Sequence, residues 1–325
     1  MDFHLVHTIT FFMLVVVATN ATMLPPQLYW KSMLPTSLMP KAITNLLHPA
    51  GYWSEEKGTW VDAGKGGVDV GVRKGYYEGG GTDMNVGVGR SPFSYNYAAS
   101  ETQLHDKPNV ALFFLEKDLH HGTKLNLQFT KTTSNAATFL PRQVANSIPF
   151  SLNKVEYIIN KLNIKKGSKG VQIVKNTISE CEEQGIKGEE KVCVTSLESM
   201  VDFTTSKLGK NVEAVSTEVN KESNLQQYTI ASGVKKLGEK NKAVVCHKEN
   251  YPYAVFYCHK TDTTKAYSVP LEGADGSRVK AIAVCHTDTS EWNPKHLAFQ
   301  VLKVQPGTVP VCHLLPEDHV VWIRK

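Results

Sequence analysis

Four times in this chain a cysteine is followed at once by a histidine: Cys246-His247, Cys258-His259, Cys285-His286 and Cys312-His313. The pairs are separated by 10, 25 and 25 residues. The whole chain has 6 cysteines and 12 histidines, so four such dipeptides lie far beyond chance. Three of them follow valine-rich strand ends (Val244-Val245, Val284 and Val311), and the other follows Phe256-Tyr257. β-Branched and aromatic residues favour strands, and successive side chains of a strand point to opposite faces. Each pair can therefore send its cysteine into one layer and its histidine into another.

The surrounding pattern agrees with that reading. Apolar and β-branched runs at 110–115, 125–129, 212–215, 227–230, 243–245, 254–257, 279–284, 298–302 and 320–323 predict strands. Turn residues such as Asn250, Pro252, Gly273, Gly276, Pro294, Pro306 and Gly307 separate the later ones. Between the two groups of strands, three helices are expected. One covers 151–162, with Val155, Ile158, Ile159 and Leu162 at helical spacing. The second starts near Thr177, where Thr177-Ile178-Ser179-Glu180 fits a capping box. The third starts at Thr195-Ser196-Leu197-Glu198 and ends near Gly209. The fold class implied is α+β: a mostly antiparallel sheet or barrel-like domain with a helical insert.

The N-terminal third has a different character. An apolar run of about ten residues, 9–18, precedes small residues at Thr19 and Ala21. It is too short to span a bilayer and suits the core of a signal peptide covering 1–21. No later apolar run reaches about 18 residues, so no membrane anchor is expected. The sequon Asn20-Ala21-Thr22 straddles the expected cleavage point, so the mature chain is expected to lack N-glycosylation. Residues 22–57 carry a proline every few positions, which prevents a long helix but permits short apolar contacts. From Gly58 to Arg90 glycine dominates, in a crude repeat (Gly66-Gly67-Val68-Asp69-Val70-Gly71-Val72-Arg73 against the stretch 81–90). Glycine loses much backbone entropy on ordering, and few large apolar side chains offset it here. Residues 22–109 are accordingly expected to be a Pro-rich and Gly/Val-repeat spacer, largely disordered. The glycines do not form a phosphate loop, because they lack the Gly-Lys-Ser/Thr ending and a strand–turn–helix setting.

Charge excludes one class of function. The net charge is +5 over 325 residues, with acidic and basic side chains interspersed. Dedicated nucleic-acid binding needs a concentrated basic face, so no nucleic-acid partner is expected. Hydrolase signatures such as Gly-x-Ser-x-Gly and His-Glu-x-x-His are also missing from the sequence.

The spacing of the four Cys-His pairs resembles the signature of the BURP domain of plants. Supporting segments are Phe113-Phe114-Leu115-Glu116-Lys117-Asp118-Leu119, Glu198-Ser199-Met200-Val201-Asp202-Phe203 and a closing strand with Trp322. The resemblance covers about 110–325. The signal peptide and Val/Gly repeat further resemble the dehydration-responsive subgroup. One departure is His120-His121-Gly122, where a single histidine and then proline would be expected. The resemblance implies a secreted protein of the apoplast or cell wall, linked to stress or development; some relatives go instead to vacuolar or storage compartments. Cell-wall polysaccharide or a wall protein is then the expected partner, and the mild basicity suits acidic pectin.

Two chemistries compete for the pairs. Either the cysteines form disulfides and His247, His259, His286 and His313 alone bind a metal, or Cys and His together make closed zinc sites. An oxidising compartment favours the first. Four imidazoles without thiolate suit copper or zinc, and copper ranks highest among common divalent ions for nitrogen ligands. Some BURP proteins are copper-dependent peptide cyclases, which favours copper over zinc. Cys181 and Cys193 flank a short polar stretch with two glycines, so a local disulfide is expected between them. Cys246, Cys258, Cys285 and Cys312 can then pair in three ways. A cyclase also needs a substrate segment. The nearest candidate is Pro92-Phe93-Ser94-Tyr95-Asn96-Tyr97, with Tyr95 or Tyr97 as the residue to be crosslinked. Those aromatics better suit an apolar anchor that docks the spacer on the domain, so the favoured expectation is a non-enzymatic protein.

Overall fold

A computed structural model describes residues 26–47, 113–129, 137–239 and 242–325. The expected signal peptide, the glycine-rich repeat and the Tyr95/Tyr97 segment lie outside the described residues.

The fold is α+β, with two antiparallel sheets and helices around them. The first helices are α1 (Pro26–Met33) and α2 (Lys41–Thr44). Strands β1 (Phe113–Leu115) and β2 (Lys124–Leu127) follow. The helical insert holds α3 (Arg142–Asn146), α4 (Val155–Lys161) and α5 (Lys169–Glu182), then β3 (Glu189–Val194) and α6 (Leu197–Leu208). The remaining strands are β4 (Val212–Val215), β5 (Glu218–Val219), β6 (Gln226–Ile230), β7 (Lys235–Leu237), β8 (Ala243–Lys248), β9 (Phe256–Thr261), β10 (Thr264–Gly273), β11 (Arg278–His286), β12 (Val311–Leu314) and β13 (Val320–Arg324). A last helix, α7 (Leu297–Leu302), precedes β12.

The larger sheet runs β1-β12-β11-β10-β6-β2, with β5 beside β11 and β7 beside β10; the smaller runs β3-β9-β8-β13-β4. A layer of Ala243, Val245, Val321 and Ile323 from the smaller sheet packs on Ala266, Ile282 and Val284 from the larger. The outer face of the smaller sheet buries Val244, Phe256 and Trp322 under α6, α1 and α2. The opposite side of the larger sheet closes over Leu125, Tyr228, Val269, Leu271 and Ala281.

Local chemistry explains most of the boundaries. Ser196 caps α6 by accepting from the Ser199 N–H, and Gly209, at φ 81°, ends it in a conformation that costs glycine little. The reciprocal capping partner is Ser199, not Glu198. The helix expected from Thr177 instead begins at Lys169, and Thr177 lies inside it. Its hydroxyl donates to the Asn250 carbonyl at 2.6 Å, so a tertiary bond has replaced the cap that the local sequence suggested. Residues 298–302, read as a strand, form α7. There His296 accepts from the Ala298 N–H and buries Ala298 and Phe299 against Trp292. The polar stretch before Cys193 contains β3, an edge strand that gains its partners only from β9.

Residues 26–47, expected to belong to a largely disordered spacer, form two helices seated in the core. Trp30, Leu34, Ile43 and Leu46 are all at most 2% exposed. Trp30 packs on Trp322 at a centroid distance of 5.1 Å and donates its indole N–H to the Ser37 carbonyl at 2.9 Å. Phe139 donates its N–H to the Leu46 carbonyl at 2.8 Å. Tyr29 and Arg142 both meet Asp202, which ties α1 to α3 and α6. Burying each large apolar side chain contributes roughly 1.5–3 kcal/mol, enough to order a short segment that proline only interrupts.

Candidate metal site

The four Cys-His pairs occupy two hairpin-like contacts, one in each sheet. In the smaller sheet Cys246 lies directly opposite Cys258, and in the larger Cys285 lies directly opposite Cys312. Both couples are disulfides, with Cα atoms 4.0 Å apart. The Cys181–Cys193 disulfide joins the end of α5 to β3. These are three disulfides, with no free cysteine among the described residues. That removes thiolate from the donor set and selects one of the three pairings left open by the sequence.

Because strand side chains alternate, the histidine after each cysteine emerges on the other face. The cysteines lie in the two outer cores. The four histidines project into the layer between the sheets and are at most 1% exposed. Their rings form a closed quadrilateral. Within the sheets the centroid distances are 5.2 Å (His247–His259) and 5.7 Å (His286–His313). Across the gap they are 6.1 Å for both His247–His313 and His259–His286.

Around this frame stand residues that no local pattern in the chain had singled out. Glu189 of β3, whose side chain is fully buried, meets His259 Nδ1 at 2.9 Å and accepts from the Tyr257 hydroxyl at 3.2 Å. His319 Nδ1 lies 2.9 Å from His247 Nδ1. On the other side Trp292 sits between His286 and His296, at 5.0 and 4.8 Å. Phe113 of β1 contacts His313 and His296 edge-on. His319 follows the last pair by six residues, and Glu189 belongs to a stretch that read as polar surface. Only strand pairing brings either to the cluster.

Burial acts on His247, His286, His313, His296 and His319 in one direction, against the charged form. Burial, followed by the neighbouring His319, holds His247 well below the ordinary histidine value. Burial likewise lowers His313, with His286 next in effect, and takes His286 itself to about 3. It takes His319 and His296 to about 4. Tyr257 is pushed up by burial and then by Glu189. A neutral imidazole has one lone pair to offer a metal, and burial favours that form at His247, His286 and His313.

Two observations bear on whether a metal of the kind the signature implies would suit these residues. His247 Nε2 and His259 Nε2 face each other at 3.2 Å. Two nitrogens held at about 2.0 Å by one tetrahedral ion stand about 3.3 Å apart. His286 Nε2 is buried without a hydrogen-bond partner, an arrangement that costs roughly 1–3 kcal/mol unless a ligand engages it. As the rings stand, no three His, Cys, Asp or Glu side chains among the described residues converge on one point. Two donors are at ligand spacing, and two further rings border them.

An antiparallel two-sheet fold, braced by a disulfide behind each of two histidine pairs, defines the class of protein. The comparisons with known proteins specify the family: BURP domain sequences match residues 112–324, and the chain belongs to the BURP domain family. It is 44% identical to BURP domain protein RD22 of Arabidopsis thaliana over 96% of both chains. It is 43% identical to BURP domain-containing protein 5 of rice over 94% of this chain and 89% of that one. With BURP domain-containing protein 3 of rice the identity is 55%, over 74% of this chain and 56% of the relative. Among the described residues no helix is long and apolar enough to cross a membrane.

Proposed function

We propose that this is a secreted, metal-binding BURP-domain protein of the plant apoplast or cell wall, acting without catalysis in the response to dehydration or in development. One observation carries the metal reading: four buried imidazoles face one another between two sheets while every described cysteine is in a disulfide. His247, His259, His286 and His313 would hold the ion, and copper is preferred over zinc because all the donors are nitrogen. Bound copper would supply Lewis acidity and one-electron redox capacity. The chain's own residues exclude water, and that burial holds His247, His286 and His313 below the ordinary histidine value. The disulfides support secretion, since such bonds persist in oxidising compartments.

Elemental analysis of protein purified from a secreting host tests this reading. Bound copper or zinc is expected in the wild type and is expected to be lost when His247, His259, His286 and His313 are all replaced. Retention of the ion by that variant would overturn the four-imidazole assignment.

A second reading, copper-dependent cyclisation of this chain's own Tyr95 or Tyr97, is favoured by one observation. Phe113, only 16 residues after Tyr97 in the sequence, pairs with His313 in the β1–β12 register. Incubation with Cu(II) and oxygen, followed by mass analysis of peptides covering about residues 90–100, tests it; unchanged hydrogen mass would sink the idea.

A further inference from the structure

Residues 26–47 are held by the rest of the fold in the manner of a bound peptide. Pro26, Trp30 and Leu34 recur at four-residue spacing and are buried, so α1 turns one apolar stripe inward. Ala42, Ile43 and Leu46 do the same after the turn. The receiving face is built by Met200 and Val201 of α6 and by Val244, Phe256 and Trp322 of the smaller sheet. Leu28, Lys31 and Leu38 stay exposed on the other side. Large anchors one turn apart, set against an apolar face, are how amphipathic helices are recognised between separate molecules.

The bonds that hold the segment are of the same kind. Its backbone hydrogen bonds run mostly within it, as from Leu34 N–H to the Trp30 carbonyl at 2.7 Å and from Asn45 N–H to the Lys41 carbonyl at 3.0 Å. Neither helix adds a strand to a sheet, and the three disulfides all lie outside the segment. Polar side chains close over its rim. Tyr29 donates to Asp202, and the Arg142 guanidinium lies 5.0 Å from the Tyr29 ring centroid. Ser37 Oγ donates to the Val212 carbonyl, and Lys325 Nζ donates to the Thr36 carbonyl at 2.9 Å. The covalent path to β1 runs through residues 48–112, and the family match begins only at residue 112. Without an occupant the face would present Val244, Phe256 and Trp322 to water together, an apolar patch of a kind that soluble chains seldom leave open.

We propose that this face is a peptide-binding site whose ligand is residues 26–47 of the same chain, and that the two stay bound as separate pieces when the chain between them is cut. The glycine-rich stretch 58–90 is then a place where cleavage leaves the folded assembly whole. The covalent link favours docking within one chain over exchange between two copies, because it raises the effective concentration of the segment at its site. The inference is independent of the metal reading.

The test uses the full chain from a secreting host, with a specific-protease site inserted in the stretch 58–90. After cleavage both pieces should co-elute in gel filtration at the size of one uncut chain, and should part in denaturing urea. A labelled synthetic peptide of residues 26–47 should exchange into the cut protein and release its N-terminal piece. The same peptide carrying Trp30→Ala should compete about thirtyfold less well, the loss expected for a central aromatic anchor. That competition needs only unsubstituted protein, so it does not depend on whether a substituted chain folds. Separation of the two pieces in native buffer would overturn the proposal, and so would equal competition by the two peptides. Co-elution at twice the size would also overturn it, because the occupant would then be the segment of a second copy.

Discussion

The two halves of the histidine cluster are built alike and supported differently. In each, a cross-strand disulfide lies on one face of a strand pair and two diagonal histidines on the other. The His247–His259 half is backed by polar groups: Glu189 meets His259 Nδ1 and His319 meets His247 Nδ1, each at 2.9 Å. The His286–His313 half is backed by rings, Trp292 and Phe113, with Thr264 at 3.4 Å from His286 Nδ1. Hydrogen bonds fix a tautomer and an angle, whereas aromatic packing fixes the plane of a ring and leaves its nitrogens to the ligand. One half therefore has its rings directed by hydrogen bonds, and the other retains an orphaned nitrogen at His286 Nε2.

That difference can be tested by perturbing each half from behind. The largest effect is expected from Trp322→Ala, which hollows the core under the first disulfide; unfolding in urea should show a loss of about 3–5 kcal/mol. Trp30→Ala should approach it, since the two rings pack against each other at a tilt, 5.1 Å between centroids. A marginal effect of Trp30→Ala would show that α1 is not part of the folding unit.

Removing the disulfides comes next. Replacing Cys285 and Cys312 by alanine opens a 27-residue separation and should cost about 3.5 kcal/mol. The pair Cys246 and Cys258, separated by 12, should cost about 3 kcal/mol. The reverse order, measured under identical denaturant conditions, would mean that native packing outweighs loop entropy in the smaller sheet.

Acid provides a third comparison, in protein stripped of metal. His319 in one half and His296 beside the other have folded values of about 4, below the ordinary 6.5. Between those limits the unfolded chain binds more protons, so stability falls as pH drops from 6.5 towards 4. Each group contributes on the order of 3 kcal/mol to that loss. Glu180 acts in the opposite sense. Burial raises it to about 7 from 4.5, so its contribution is complete below pH 4.5 and is lost as pH rises through 7. Thermal melting across pH 4–8 should therefore show an optimum, and Glu180→Gln should flatten its alkaline side. A melting temperature independent of pH below 6 would contradict neutral buried imidazoles.

The smallest effect is expected at the surface. Lys207 pairs with Glu190, a half-exposed carboxylate on β3, and Lys207→Ala should cost less than about 1 kcal/mol. A larger loss would indicate that β3, which carries Glu189, depends on that pair for its position.

Much of this arrangement was readable from residue order, because it rests on periodicity. Val244-Val245-Cys246-His247 alternates as a strand must, so the separation of thiol and imidazole faces follows from the dipeptide itself. The Ser196 cap and the Gly209 stop of α6 are local signals of the same kind. Thr177 and residues 298–302 show where local signals mislead. A threonine that resembles a cap donates across the fold to Asn250, and a β-rich run becomes helical because His296 caps it and Trp292 covers it. The proline-rich stretch misled for a related reason: what orders Trp30 and Ile43 is the apolar surface around Trp322, almost three hundred residues away.

The sequence by itself determined that cysteines and histidines would part to opposite faces, because strand alternation is a property of neighbouring residues. It also placed the chain in its family through the spacing of four dipeptides. Which cysteines meet was decided by the tertiary structure, through the registers Cys246 opposite Cys258 and Cys285 opposite Cys312. The recruitment of Glu189 and His319 was decided there too, since hydrogen-bond partners 70 and 72 residues apart are selected by strand pairing and by no local rule.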